Sequence, residues 1–312
     1  MLKSYDYVEN TSILASDTSL LEEERAIAES FLNEQDSCLI DNYKRCSACD
    51  SATAMGFMDI SGIKYMRCHN CYSIYALANA DLSAKYEAYP KLVEFKKSRR
   101  YIESIIGKAF LWEEWMLWIH FRSARYLGKS QGYKVFDYSE TFKQFPDMVN
   151  NAPFCDEYLD SSNLNGKQAD LIFYIDTITK EVEPLCVLKD LRKHLAEDGI
   201  LAIGGRVGSG FDILVLKELN RIIFPMKYVF LPSSKGFEIL LNRAGYDVLE
   251  MSTPGALDVE YVLRMKEVVE DSFLSHFLGN GDAAAFGDFQ RFLQKHGLSS
   301  YSRIIAKKRK DK

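Results

Sequence analysis

Four cysteines in two Cys-x-x-Cys pairs, Cys46/Cys49 and Cys68/Cys71, carry the densest chemistry in this chain, and eighteen residues separate the pairs. A turn of this kind aims two sulfurs at one point, and two such turns at this separation read as a tetrahedral four-thiolate zinc site. The residues between them, including the alternating run Ile63-Lys64-Tyr65-Met66-Arg67, suit a short hairpin. Two disulfides, or four unrelated buried thiols, are the competing readings of the same residues. Four thiolates complete a closed coordination sphere, so His69, inside the second pair, is read as a bystander. A closed site is structural, holding together a module too small to build its own core. Catalysis is expected elsewhere.

The chain of 312 residues has room for such a module and one full domain. A hydrophobic share of 47% and an aromatic share of 13% specify a globular protein. A net charge of -5 and a pI near 5.7 argue against nucleic acid or an anionic membrane as partner. The basic run Lys307-Lys308-Arg309-Lys310 reads as a solvated terminus. No leader-like apolar segment opens the sequence, and the most apolar stretch, Ala109 to Phe121, is broken by Glu113 and Glu114. The expectation is a cytoplasmic protein without membrane insertion. Cys38, Cys155 and Cys186 have no partner motif and read as ordinary residues of a reducing compartment.

The elements that must position these residues fall into four stretches: a helical lead-in over 1–38, the zinc ribbon over 39–80, a helical linker over 81–129 and an α/β domain over 130–312. A lead-in helix is expected over Leu20–Asn33. Ser83 to Gly128 reads as helical with a break at Pro90, and Trp112, Trp115 and Trp118 as packing residues or, alternatively, an aromatic ligand wall. From Tyr133 strands and helices alternate: strands over 134–138, 170–176, 200–204 and 246–251, helices over 185–195 and 237–244, a turn at Asp198-Gly199 and a last strand over 302–307. The near-continuous apolar run Leu171-Ile172-Phe173-Tyr174-Ile175 is the mark of a strand buried on both faces. This order predicts a Rossmann-like, doubly wound, mostly parallel sheet. Gly204-Gly205-Arg206-Val207-Gly208-Ser209-Gly210 lacks the Gly-Lys-Ser/Thr ending of a phosphate-binding P-loop and reads as a flexible loop over the strand ends.

The stretch Asp170 to Asp176, with Val182-Glu183-Pro184, Leu188 to Leu195 and Ala196 to Leu201, resembles the fourth-to-fifth strand region of class I S-adenosylmethionine-dependent methyltransferases. The ribbon, the segment Trp112 to Tyr126, Gly208 to Asp212, Ser252 to Val259 and Gly297 to Arg303 resemble a branch of that family carrying an N-terminal zinc ribbon and associated with sugar, polysaccharide or natural-product pathways. The resemblance implies S-adenosylmethionine as cofactor beside structural zinc, and a small, sugar-linked or natural-product acceptor. It implies a ligand beyond the strand ends, near Asp137, Tyr138 and Ser139, near Asp176, Thr177 and Thr179, and near Arg206 to Asp212, with Glu157, Asp137 or Asp160 as the ribose-binding carboxylate.

Three departures accompany the likeness. The first strand runs Val135-Phe136-Asp137-Tyr138-Ser139-Glu140-Thr141-Phe142-Lys143 without the glycines that let backbone approach the cofactor. Thr179 and Lys180 stand where the family has a Glu-His pair, and Pro225 is followed by Met226-Lys227-Tyr228 where a histidine is usual. Lys180, Lys227 or Tyr228 would have to supply any base. Asp50 and Tyr72 replace the glycines usual in the knuckles, which predicts strained turns. Two readings follow: a methyltransferase acting on a small acceptor, or an inactive pseudo-methyltransferase that binds a protein partner such as an active paralogue. No catalytic residue is identified.

Overall fold

The computed structural model describes residues 2–3, 18–35, 45–78, 82–107, 109–128, 130–139, 146–164 and 166–310. A two-residue strand β1 (Leu2–Lys3) and helix α1 (Thr18–Asn33) precede the ribbon strands β2 (Ala54–Ile60), β3 (Ile63–Cys68) and β4 (Ile74–Ala76). Helices α2 (Leu82–Glu87), α3 (Pro90–Lys97), α4 (Arg99–Gly107) and α5 (Ala109–Leu127) follow. Pro90 opens α3 rather than merely breaking a helix, because proline lacks the N–H that a first turn leaves unpaired.

The remaining elements are β5 (Tyr133–Asp137), α6 (Pro146–Asn150), β6 (Cys155–Leu159), β7 (Ala169–Ile175), α7 (Pro184–His194), β8 (Leu195–Arg206) and α8 (Phe211–Leu216). After them come β9 (Phe230–Leu231), α9 (Ser234–Arg243), β10 (Tyr246–Ser252), α10 (Asp258–Arg264), α11 (Ser272–Asn280), α12 (Ala283–Lys295) and β11 (Tyr301–Lys308). The main sheet has the order β1-β10-β11-β8-β7-β5-β6. All neighbours in it are parallel except β11, which runs antiparallel between β8 and β10. This is the expected doubly wound, mostly parallel sheet, and its order is that of the class I methyltransferase fold.

Strand β7 shows why its apolar run forms a central strand. Side chains alternate across a sheet, so Ile172 and Tyr174 belong to one buried cluster, with Leu188, Leu191, Phe237 and Leu240 of α7 and α9. Leu171, Phe173 and Ile175 belong to the other, with Trp115, Trp118 and Ile119 of α5 and Val149 of α6. A side chain of this kind contributes about 1.5–3 kcal/mol when fully buried. The α/β part also completes the ribbon: β9 adds to β4, pairing Ile74 with Leu231, so the second sheet runs β2-β3-β4-β9.

Some expectations differ from the fold in detail. Asp198-Gly199 lies inside β8, where the ladder jumps from Ala169↔Leu195 to Leu171↔Ile200; the expected turn is a bulge that the pairing absorbs. Gly204 and Gly205 belong to β8, and the run after them is packed rather than an open loop. A Cβ at Gly208 would collide with the Leu231 carbonyl, and one at Gly210 with Ser300. Helix α9 begins at Ser234, because Ser233 caps it by accepting from the Gly236 N–H at 2.8 Å.

Candidate functional site

The two cysteine turns are built alike. Cys46 accepts from the Asp50 N–H at 2.8 Å and Cys68 from the Tyr72 N–H at 3.0 Å, both at the backbone carbonyl. Asp50 has φ of 62° and Tyr72 of 64°, the left-handed region that glycine occupies freely, so the strain expected of these replacements is present in both turns. The four Sγ atoms lie within 4.8 Å of one another, with Cys46 to Cys71 and Cys49 to Cys68 each at 3.5 Å. These separations are far beyond an S–S bond of about 2.0 Å, which removes the disulfide reading. Zinc–sulfur bonds of about 2.3 Å give a tetrahedron with edges of about 3.8 Å, so the donor set fits that ion in number, softness and spacing. The hydrogen bond between Cys46 and Cys71 holds the Cys71 thiol down at about 5 and pushes Cys46 up, a crowding of thiols that a cation would relieve. His69 is exposed and stands outside the cluster.

The centre is fastened to the α/β part from several sides. Ser233, the cap of α9, donates to the Cys71 carbonyl, and its own N–H donates to Ser73 Oγ at 3.1 Å. Arg243 donates to the Ala48 carbonyl at 2.7 Å, and Ser47 to that of Val182 at 3.2 Å. The ribbon is thus part of the wall against which α9 packs.

In a doubly wound sheet ligands sit beyond the carboxyl ends of the strands, at the switch point where neighbouring connections leave in opposite directions. Here that point lies between β5 and β7. The two ends are joined directly: the Tyr138 N–H donates to the Phe173 carbonyl at 2.9 Å, the Ile175 N–H to Ser139 Oγ at 3.1 Å, and Thr177 Oγ1 to the Tyr138 carbonyl at 3.3 Å. Asp137, buried, accepts from the Ser139 N–H at 2.9 Å and from the Tyr158 hydroxyl at 3.3 Å. Burial first, and then Asp137, push the Tyr158 hydroxyl above its ordinary range. The half-buried Tyr138 ring packs 5.8 Å from Tyr174 and 6.1 Å from Phe136. Phe142 and Phe145 lie outside the described residues.

The open space lies further along the sheet. A cavity of about 190 Å³ is bounded by Glu114 and Trp115 of α5, Asp176 after β7, Arg206 ending β8, the segment 254–258, Tyr261 of α10, and Ser300, Tyr301 and Arg303 at β11. Tyr301 donates to Asp176 Oδ1 at 2.7 Å, and Asp176 has φ of 57°. Arg206 donates to Asp212 at 3.0 Å and to Ser300 Oγ at 3.3 Å, and lies 5.7 Å from the centre of the Tyr261 ring. Asp258 accepts from the Ser300 N–H at 2.7 Å, from Gln290 at 3.0 Å and from Ser299 at 2.5 Å. Burial, with Asp212 nearby, pushes its carboxyl up to about 6. Gly204 of β8 packs under the lining residue Trp115, since a Cβ there would stand 2.5 Å from its ring.

Of the residues singled out in the sequence, Asp137, Tyr138, Ser139, Asp176 and Thr177 meet at the joined ends of β5 and β7. Thr179 is buried on the 3-10 turn Ile178–Lys180, below Gly205. Glu157 stands mid-strand in β6, held by Lys167 at 2.6 Å and Lys134 at 3.6 Å, away from the strand ends. Asp160 accepts from the Ser162 and Asn163 N–H groups of its own turn. Lys180 pairs with Glu87 at 3.1 Å and Lys227 with Glu24 at 3.4 Å. Trp115 lines the cavity and also packs in the core; the Trp112 side chain lies outside the described residues. Sequence reasoning missed Asp258, Tyr261, Tyr301, Arg303 and Glu114 as lining residues. Asp258, Tyr301 and Arg303 lie in segments 252–259 and 297–303 and Glu114 in 112–126, whose likeness to the family carried no role, and Tyr261 lies outside all three.

The fold is that of a methyltransferase-like α/β protein, and it carries a four-cysteine ribbon. No family profile matches the chain, and no curated protein does. Among solved structures it is similar to coclaurine N-methyltransferase bound to N-methylheliamine and SAH, at 12% identity and TM-score 0.35, covering 62% of this chain and 72% of that one. The [4+2]-cyclase SpnF gives 11% identity and TM-score 0.34 over 62% of this chain and 80% of that one. The cyclopropane synthase MmaA2 from Mycobacterium tuberculosis gives 10% and 0.32 over 57% and 79%. At these scores the likenesses add nothing to what the strand order shows.

Proposed function

We propose that this chain is a methyltransferase-like protein that binds a small ligand at its strand ends without transferring a methyl group, and acts as a regulatory or partner-binding subunit. The observation that carries this reading is the closure of the switch point. Hydrogen bonds from Ile175 to Ser139 and from Thr177 to Tyr138 tie β5 to β7 where S-adenosylmethionine would have to enter. The first turn beyond β5 has no glycine among residues 137–143 to admit the cofactor closely. The described residues at these strand ends do not fit the cofactor in the place the resemblance implies, so no step of methyl transfer is built on them. A protein partner, such as an active paralogue, fits this reading.

The four-cysteine centre supports a structural zinc ion held by Cys46, Cys49, Cys68 and Cys71, a charge that stabilises four crowded thiolates and orders both turns. A second reading, methyl transfer to a small sugar-linked or natural-product acceptor, is favoured by one feature: the cavity touches Asp176, at the end of β7 beside the closed switch point. Calorimetric titration of the zinc-loaded protein with S-adenosylmethionine and S-adenosylhomocysteine separates the two. Absence of heat and of any thermal shift is expected; micromolar binding of either compound overturns the first reading in favour of the second.

A further inference from the structure

The cavity beside α5 has a size and a donor balance that together specify a ligand. At about 190 Å³ it is somewhat larger than an engineered apolar cavity of about 150 Å³ that takes benzene. One six-membered ring with a small substituent matches that volume, and the pocket opens to solvent beyond it. Trp115, Pro254, Ala256, Leu257, Tyr261 and Tyr301 give it mostly carbon walls.

The polar groups are unequally satisfied. The lining carboxylates have donors: Asp176 has Tyr301, Asp258 has Ser299, Ser300 and Gln290, and Glu114 has Arg303. Arg303 is only 5% exposed, its guanidinium lies 4.7 Å from the centre of the Trp115 ring, and its Nε has no hydrogen-bond partner. Asp212 Oδ1 is also without a partner but does not line the cavity. That Nε is itself closed off from the cavity, so the part of the guanidinium a ligand can reach is the edge held by Glu114, and a guanidinium edge suits a planar carboxylate. Its one acceptor, at 2.9 Å, comes from Glu114, whose side chain is 39% exposed. That carboxylate reaches in from the solvent side and is free to be displaced by another of the same geometry.

We propose that the cavity binds a single-ring carboxylate, with the ring among Trp115, Leu257 and Tyr261 and the carboxylate on Arg303 in place of Glu114. This rests on the reading that the site binds ligand without methyl transfer, and it names the class of that ligand. Neutral and cationic analogues of the same shape are discriminated against, since one leaves the guanidinium poorly matched and the other places like charges together.

The test is calorimetry with benzoate, benzamide and benzylamine on the zinc-loaded full chain and on Glu114→Gln and Arg303→Lys. Benzoate is expected to bind, benzamide at least tenfold more weakly and benzylamine not at all. Glu114→Gln, which removes the competing charge from a half-exposed position, tightens benzoate several-fold. Arg303→Lys, checked by circular dichroism, weakens it about tenfold because an ammonium cannot match both oxygens. If that variant misfolds, Glu114→Gln decides alone. Benzoate binding no better than benzamide, or unchanged by Glu114→Gln, overturns the proposal. A parallel titration with S-adenosylhomocysteine keeps the two readings apart: heat there overturns the proposed function and leaves a benzoate result standing. Silence from both compounds overturns only the ligand class.

Discussion

The cysteine centre and the strand-end cavity are both places where polar atoms converge in a buried setting, yet they are assembled in opposite ways. The centre draws its four ligands from two short turns of the same design, each closed by two backbone hydrogen bonds. The cavity draws its lining from α5, β7, β8, α10 and β11, so that Glu114 and Arg303, 189 positions apart, meet as an ion pair. Local turns determine the first, and only the folded sheet brings the second into being. The difference teaches that the centre is a precondition for the ribbon's shape, while the cavity is a consequence of the α/β core.

The largest effect should come from the local site. Cys68→Ser removes one of four thiolates from a module whose two turns carry backbone strain, and structural zinc is worth about 10–16 kcal/mol in small finger-like modules. Loss of one zinc equivalent by elemental analysis and a melting temperature lower by ten degrees or more are expected. The ribbon shares Ser233 and β9 with the main domain, so unfolding of the α/β part should also begin earlier. Retention of both metal content and melting temperature would break the contrast by showing that the turns hold without their ion.

Gly204→Ala probes the long-range site. The added Cβ meets Trp115 at 2.5 Å, and overpacking of this kind costs about 1–3 kcal/mol. Chemical denaturation should report that loss, and the zinc content should stay unchanged. A loss of metal on this substitution would show that cavity and centre are one cooperative unit.

The mildest test is a slope with pH. Asp258, facing Asp212 with Arg206 beyond it, has a carboxyl pushed up to about 6 from an ordinary value of 3.8, chiefly by burial. The folded protein therefore holds a proton that the unfolded chain releases, and the associated stabilisation is complete below 3.8 and lost as pH rises through about 6. The stability of the native protein relative to Asp258→Asn should accordingly improve as pH falls across that window. A constant difference would show that the Ser299, Ser300 and Gln290 donors offset the burial.

Much of the frame was readable from residue order. The strand expected over 170–176 declared itself by a near-continuous apolar run, the helix over 237–244 by its pattern though not by its Ser233 cap, and the two strained knuckles by Asp50 and Tyr72 where glycine is usual. Other features were not readable. Asp198-Gly199 has turn chemistry but sits in a bulge, because pairing of β8 with β7 and β11 outweighs a two-residue preference. The glycines of 204–210 suggest looseness in sequence, but they are there because Leu231, Ser300 and Trp115 come too close for a Cβ.

The sequence by itself determined the cysteine centre and the alternation of strands and helices, since both depend on spacing within one turn or one element. The tertiary structure decided that β5 and β7 are tied at the switch point, that β9 completes the ribbon, and that a space opens over β8 and β11 instead. Those outcomes depend on which distant backbones approach and which side chains fill the gap, and pairwise packing of that range leaves no periodic trace in the chain.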